Sequence, residues 1–196
     1  MCTQDRLEAS LSLEDSPPPR LNLSLIVAVP RPQTVKKIIQ LAAATGIGRL
    51  DFVRTEKVVP SYLQSKSLIP EAIETEVLKG LQQACDTISP KIAVHENFKS
   101  YLGKLNFLQG ALCLIADNQF GDKARSTVQT PSSIHPTHII LAIGPESGWT
   151  KQEYDQLVER SFKPISLGKR MYRSEQALAL LIGQLISSFG LLKEQK

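Results

Sequence analysis

Two short segments in the last third of the chain carry the residue types from which a ligand site is built. The first is Ile143-Gly144-Pro145-Glu146-Ser147-Gly148-Trp149. The second runs from Ser166-Leu167-Gly168-Lys169-Arg170 through Met171-Tyr172-Arg173-Ser174-Glu175-Gln176-Ala177. Each follows a short apolar run and leads into a helical pattern, which is how an α/β sheet builds a small-molecule pocket at the carboxyl ends of its strands. Glycine lets a ligand lie against bare backbone, where free amides can hold it. Pro145 stiffens the first turn. The plain alternative is a strand-to-helix turn that needs glycine for its geometry alone. No Gly-Lys-Ser/Thr follows, so the loop is not a P-loop, and no GxGxxG dinucleotide fingerprint is present.

The second segment adds three cations, Lys169, Arg170 and Arg173, which suit an anionic or nucleic-acid partner. Glu175 follows two residues after Arg173. Solvated charges at a helix start, with Glu175 complementing the dipole, are the bland reading. The functional one is a pocket wall whose backbone holds a cofactor while an arginine reaches the substrate. His135 and His138 have the spacing of a ligand pair but no third partner nearby, so no metal is expected. Trp149 reads as a packing residue.

The elements that must position these loops alternate. Leu21 to Val29 is a strand ending at Pro30. Pro32 opens a helix with Val35, Ile38, Ile39, Ala42 and Ala43 on one face, and Gly46 stops it. Residues 50–53 form a short strand, and Pro70 opens a second helix burying Ile73, Val77, Leu81, Ala84 and Cys85. Residues 91–95 and 111–116 read as strands and 118–136 as a polar surface loop. Residues 137–143 are nearly all apolar, as a central parallel strand requires. Thr150-Lys151-Gln152-Glu153 matches a capping box, opening a helix with Tyr154, Leu157 and Val158 inward. After a last short strand at Ile165, residues 174–189 form a closing helix, apolar on most sides, that belongs in the core or a dimer interface. The pattern predicts an α/β fold with a mainly parallel sheet flanked by helices. Residues 1–20 read as one remnant strand, over 7–13, and a proline-rich linker. The domain itself runs from 21 to 196.

At 196 residues, with 42% apolar and 21% charged residues, the chain has the makings of one ordinary domain. The net charge of +4 permits a nucleic-acid partner without requiring one. Three cysteines without a CxxC point away from a disulfide framework and toward a reducing cytoplasm. No signal peptide or membrane-spanning run is visible.

The two loops, in this order, resemble the RsmE family, bacterial methyltransferases acting on N3 of a uridine in small-subunit (16S) ribosomal RNA. That family carries Gly-Pro-Glu-Gly-Gly and then Leu-Gly-x-Arg-x-Leu-Arg-x-Glu-Thr-Ala. The likeness extends to Val29-Pro30-Arg31-Pro32, to Lys57-Val58 with Ser61-Tyr62, and to Gly80-Leu81-Gln82-Gln83-Ala84-Cys85-Asp86-Thr87, covering residues 21–190 in order. The resemblance implies a SPOUT fold with a C-terminal trefoil knot, working as a homodimer with the closing helix in its interface. It also implies S-adenosylmethionine held by Ile115, Ala116, Asp117, Ile143, Gly144, Pro145, Glu146, Gly148, Leu167, Gly168, Met171, Tyr172 and Arg173. Arg173 is the candidate to stabilise the uracil anion. Glu175 is either the general base or the group that orients Arg173, and a carboxylate beside arginines is a weak base, which favours the second role. Arg31, Arg54, Lys57, Gln83, Lys169 and Arg170 are the candidate contacts to ribosomal RNA within the small subunit.

The chain departs from the family at Ser147, Tyr172 and Gln176, at Gln82, and at Asp117-Asn118, where relatives tend to have His-Pro. Relatives also place a β-structured RNA-binding barrel ahead of the methyltransferase domain, where this sequence has a single strand-like segment. Two other readings remain: a SPOUT enzyme acting on transfer RNA or on ribose 2′-oxygen, and a degenerate homologue that only dimerises or binds RNA.

Overall fold

β1 (Leu21–Ala28) alternates its side chains across the centre of the sheet, with Leu23, Leu25 and Val27 fully buried on one face and Ile26 buried on the other. Both faces are covered, so the strand is apolar almost throughout. The computed structural model describes residues 17–106, 109–120 and 136–192, together with Ala9, Ser10 and Ser12. Most of the strand expected over 7–13, most of the 118–136 loop and His135 lie outside the described residues.

From β1 the chain passes into α1 (Pro32–Ala44), β2 (Ile47–Val53), the single turn α2 (Pro60–Leu63) and α3 (Pro70–Ala84). There follow β3 (Lys91–His95), α4 (Phe98–Lys104), β4 (Ala111–Ala116), β5 (His138–Ile143), α5 (Lys151–Glu159), β6 (Lys163–Ile165) and α6 (Ser174–Phe189). All pairings are parallel, in the order β3-β2-β1-β5-β4-β6. Strand order reverses beside β1, the place where open α/β sheets form ligand crevices.

Two cores fill the two faces. Under α1, α3 and α6 lie Leu25, Val27, Leu50, Phe52, Ile139 and Leu141 with Leu178 and Leu185. Under α4 and α5 lie Ile26, Val53, Ile115, Ile140 and Ala142 with Trp149, Tyr154 and Phe162. α1 and α3 approach closely because residue 80 is glycine: a Cβ there would stand 2.5 Å from the Gln40 carbonyl oxygen and 2.7 Å from Ala43 Cβ.

The helix ends follow their signals. Gly46, just past α1, has φ +71°, and Pro32 and Pro70 occupy first turns. The capping box at Thr150 is complete, with its hydroxyl accepting from Glu153 N and Glu153 Oε2 accepting from Thr150 N. Three expectations need correction. Cys85 is exposed rather than buried, because it caps α3 in the left-handed region at φ 53°. Val158 is 42% exposed, one position off the face that Tyr154 and Leu157 bury. β2 begins at Ile47, three residues early, because Gly46 O and Ile47 already meet Leu21.

Candidate active site

The ends of β4, β5 and β6 carry three loops that meet in one cleft. It is lined by Ala116, Asp117, Asn118 and Gln119 from the first loop, and by Ile143, Gly144, Pro145, Glu146, Gly148 and Trp149 from the second. Ile165, Ser166, Leu167, Met171 and Tyr172 come from the third, and Ser174, Ala177 and Leu181 from α6. Each loop is there because its strand ends in an apolar run that the core holds. Ala116, Ile143 and Ile165 stand side by side through the pairings Ala116↔Ile143 and Ala116↔Ile165.

The second loop is a tight turn closed by Gly148 N donating to Pro145 O at 2.8 Å. Gly148 has φ +73°, and a Cβ there would press on the Gln119 amide at 3.1 Å. Gly144 leaves room for Trp149: a Cβ would lie 3.2 Å from the indole Cε2 and Nε1. The indole is 1% exposed and its N–H donates to Ala116 O at 3.1 Å, tying the second loop to the first. Trp149 is thus the packing residue expected. Asp117 folds the first loop, with Oδ2 accepting from Gln119 N and Phe120 N at 3.0 and 2.7 Å. Ser166 links first to third, donating to Asn118 Oδ1 at 2.7 Å and accepting from Gly168 N at 3.1 Å.

Met171 is 77% exposed and Tyr172 37%, on the rim. Gln176 stands where the RsmE motif has threonine. Its Oε1 accepts from Arg173 N at 3.2 Å and so caps α6. Arg173 precedes the helix at the surface. Glu175 does not line the cleft. It faces α1, where Lys37 Nζ donates to its Oε1 at 3.0 Å, and its Oε2 is buried without a protein donor. Burial pushes its carboxyl up, but the helix-start amide, Lys37 and Arg173 outweigh that, and the net shift is downward. A carboxylate held ionised this way is a poor base near neutrality.

Of the residues expected to touch a cofactor, the cleft gathers Ala116, Asp117, Ile143, Gly144, Pro145, Glu146, Gly148, Leu167, Met171 and Tyr172. Ile115, Gly168 and Arg173 are not among its lining. Ile115 points to the opposite core and is fully buried there, as alternation along β4 dictates. Asn118, Gln119, Ser166 and Ser174 also line the cleft, and sequence reasoning missed them. For Ser166 and Asn118 the available signal is position, directly after a strand.

The expected RNA contacts divide. Arg31 N donates to Glu146 Oε1 at 3.2 Å beside the cleft. Arg54 and Lys57 lie on the loop after β2, and Lys169 and Arg170 on the exposed third loop. Gln83 is exposed near the end of α3, a helix that lines none of the cleft. Two other cations of this half of the chain are held by carboxylates, Arg49 by Asp51 and Lys37 by Glu175.

A cavity larger than this cleft lies elsewhere among the described residues. It measures about 710 Å³, beside Asp51, His95 and Tyr101, and contains none of the glycine-loop residues. Asp51 is 1% exposed and accepts from Arg49, His95 and the Tyr101 hydroxyl, at 2.5, 2.7 and 3.1 Å for the nearest atoms. That network satisfies a buried carboxylate and fastens β2 to β3 and α4. Convergence of loops, not volume, marks the candidate site.

Residues 17–186 match the family model described as the RNA methyltransferase domain. A ribosomal RNA small subunit methyltransferase E of Treponema pallidum is 29% identical over 158 residues, 79% of this chain and 58% of that protein. The chain therefore spans a little over half the length of this relative. The crystal structure of a ribosomal RNA small subunit methyltransferase E from Neisseria gonorrhoeae bound to S-adenosyl methionine superposes with a TM-score of 0.70 at 23% identity. That match covers 85% of this chain and 66% of the other. A Legionella pneumophila protein in complex with the cofactor SAM gives 0.71 at 20% identity, covering 91% and 70%. The all-parallel six-stranded sheet with helices on both faces is thus the fold of these two solved proteins. On the extent of the family match, the chain belongs to the RNA methyltransferase domain family.

Proposed function

We propose that this chain transfers a methyl group from S-adenosylmethionine to N3 of a uridine in small-subunit ribosomal RNA. The observation that carries the reading is the convergence of three loops, two of them turned at glycine, on one cleft at the carboxyl edge of β4, β5 and β6. The cleft fits an amphiphilic cofactor. Its wall is bare backbone at Gly144 and Gly148, its floor is Ile143, Ala177 and Leu181, and Asp117, Asn118 and Ser166 supply polar groups. A protein of this fold from Neisseria gonorrhoeae was solved with S-adenosyl methionine bound.

Bound there, the cofactor supplies a methyl group already activated on a sulfonium. The protein's work is alignment and proton management. The Gly144–Trp149 turn and the third loop hold the donor, and Trp149 and Leu181 keep water from the apolar floor. Arg173 follows the rim residue Tyr172 and is exposed, and in this reading its guanidinium meets the uracil carbonyls. It would stabilise the negative charge that develops as the N3 proton passes to solvent water. Glu175, bound to Lys37, orients the start of α6 and with it Arg173, rather than taking the proton. Lys169 and Arg170 on the same loop suit the RNA backbone. In this reading the active form is a cytoplasmic homodimer joined through α6, whose outer face carries Leu180 at 47% exposure. The same reading has the chain after β6 complete a trefoil knot around the cleft.

The test is transfer of labelled methyl from S-adenosylmethionine to small ribosomal subunits, with the product nucleoside identified by mass spectrometry. N3-methyluridine, lost with Arg173→Ala, supports the reading. Methylation of another base or of ribose would replace the substrate. Unchanged activity in Arg173→Ala would remove that residue's role.

A further inference from the structure

Lys57 is a candidate RNA contact by sequence, yet its ammonium is engaged by the second loop. Nζ donates to Trp149 O at 2.8 Å and to Ser147 O at 3.2 Å. Both carbonyls belong to the turn that forms the second wall. A neighbouring bond runs parallel: Glu56 N donates to Glu153 Oε1 at 2.6 Å, while the other oxygen of Glu153 caps Thr150 N at 3.0 Å. Glu153 is 5% exposed, so this junction is built into the protein rather than a chance surface contact.

We infer that Lys57 is a positioning residue for cofactor binding: it latches the loop after β2 onto the Gly144–Trp149 turn and fixes the peptide planes of that wall. This rests on the functional reading above. The reason is geometric. A peptide's carbonyl and the next N–H point oppositely, so holding Ser147 O outward fixes the Gly148 N–H, which closes the turn on Pro145 O. Gly148 has no Cβ and φ +73°, so apart from its bond to Pro145 O little in that residue resists rotation of the plane. A rotated plane would turn a carbonyl toward a wall that must show the cofactor a fixed set of donors. One ammonium bonded to two carbonyls is a charge-assisted clamp on that plane.

The competing role for Lys57 is a phosphate contact, and the two separate cleanly. Lys57→Met keeps the aliphatic stem and removes the donors. Lys57→Arg keeps cationic donors. Titration with S-adenosylmethionine in the absence of RNA should show Lys57→Met weakened about tenfold, as expected for losing a charged hydrogen-bonding group, with Lys57→Arg recovering most of it. Hydrogen exchange of the Gly148 and Thr150 amides should quicken in Lys57→Met, with amides of β1 and β5 unchanged. The latch is overturned if Lys57→Met binds cofactor as the parent does while its RNA affinity falls and the salt slope drops by about 1, the mark of a lost phosphate contact. If the parent chain binds no cofactor, the functional reading falls separately. The exchange experiment then decides the latch alone, and unchanged Gly148 exchange refutes it.

Discussion

Gly80→Ala tests how α1 is held against α3, and through α1 how Lys37 reaches Glu175 at the start of α6. Two effects oppose each other. Alanine is the better helix former, by about 1 kcal/mol in a helix interior. Against it, the new Cβ would stand 2.5 Å from Gln40 O and 2.7 Å from Ala43 Cβ, where ordinary contact begins at 3.4 Å. The obstacle is helix backbone, so relief requires α1 and α3 to part by close to an ångström across a packed seam. Overpacking a core costs about 1–3 kcal/mol, with the upper part of that range expected where backbone must move. The balance is a net loss of about 1–2 kcal/mol, or a melting point lower by about 2–8 °C for a domain of this size. Urea unfolding and thermal melts measure it. Gly103→Ala in α4 is the control, since a Cβ there meets nothing within 4 Å, and it should be neutral or slightly stabilising. A Gly80→Ala protein at least as stable as its parent would refute the close-approach argument.

Other consequences are open to direct measurement. Asp51→Ala leaves the buried Tyr101 hydroxyl and the His95 ring without their acceptor, while Arg49 is half-exposed and can turn to water, and should cost about 1–3 kcal/mol in urea unfolding. Cys85 is exposed, whereas burial pushes the Cys113 thiol up to about 11, so a thiol reagent at mildly alkaline pH should label Cys85 and reach Cys113 only on unfolding. The Glu76 carboxyl is held below its ordinary value by Gln40 and then Lys79, against the opposing effect of burial, and that of Glu175 is also lowered. A depressed carboxyl stabilises the fold fully above its ordinary value of 4.5 and loses that contribution as pH falls through the lowered one. Stability should therefore be flat in these two groups from pH 7 to about 5.5 and fall in acid, less steeply in Glu76→Gln.

The fold was legible where local signals agree with burial. The apolar run before Gly144 gave β5, the prolines gave the starts of α1 and α3, and Thr150-x-x-Glu153 gave the cap of α5. The cleft was largely legible too, because a loop after a buried strand must lie at the sheet edge whatever the strand order. What local pattern could not show was pairing across the sequence. Lys57 meeting Ser147 and Trp149, Lys37 meeting Glu175, and Trp149 reaching Ala116 each join residues more than thirty positions apart. These long-range pairs change the roles that sequence alone suggests. Lys57 is bonded to the turn that walls the cleft, and Glu175 faces α1. α4 escapes a reading by periodicity because its seven residues carry less than two turns of apolar pattern, although Asn97 caps it by accepting from Ser100 N at 2.8 Å.

Whether the three-loop cleft is a cofactor site is tested most directly by calorimetric titration of the purified chain with S-adenosylmethionine and S-adenosylhomocysteine. The expected result is binding near one site per subunit, lost in Gly144→Leu, whose side chain would collide with the Trp149 indole 3.2 Å away and fill the wall. A folded protein that takes up neither compound would contradict it.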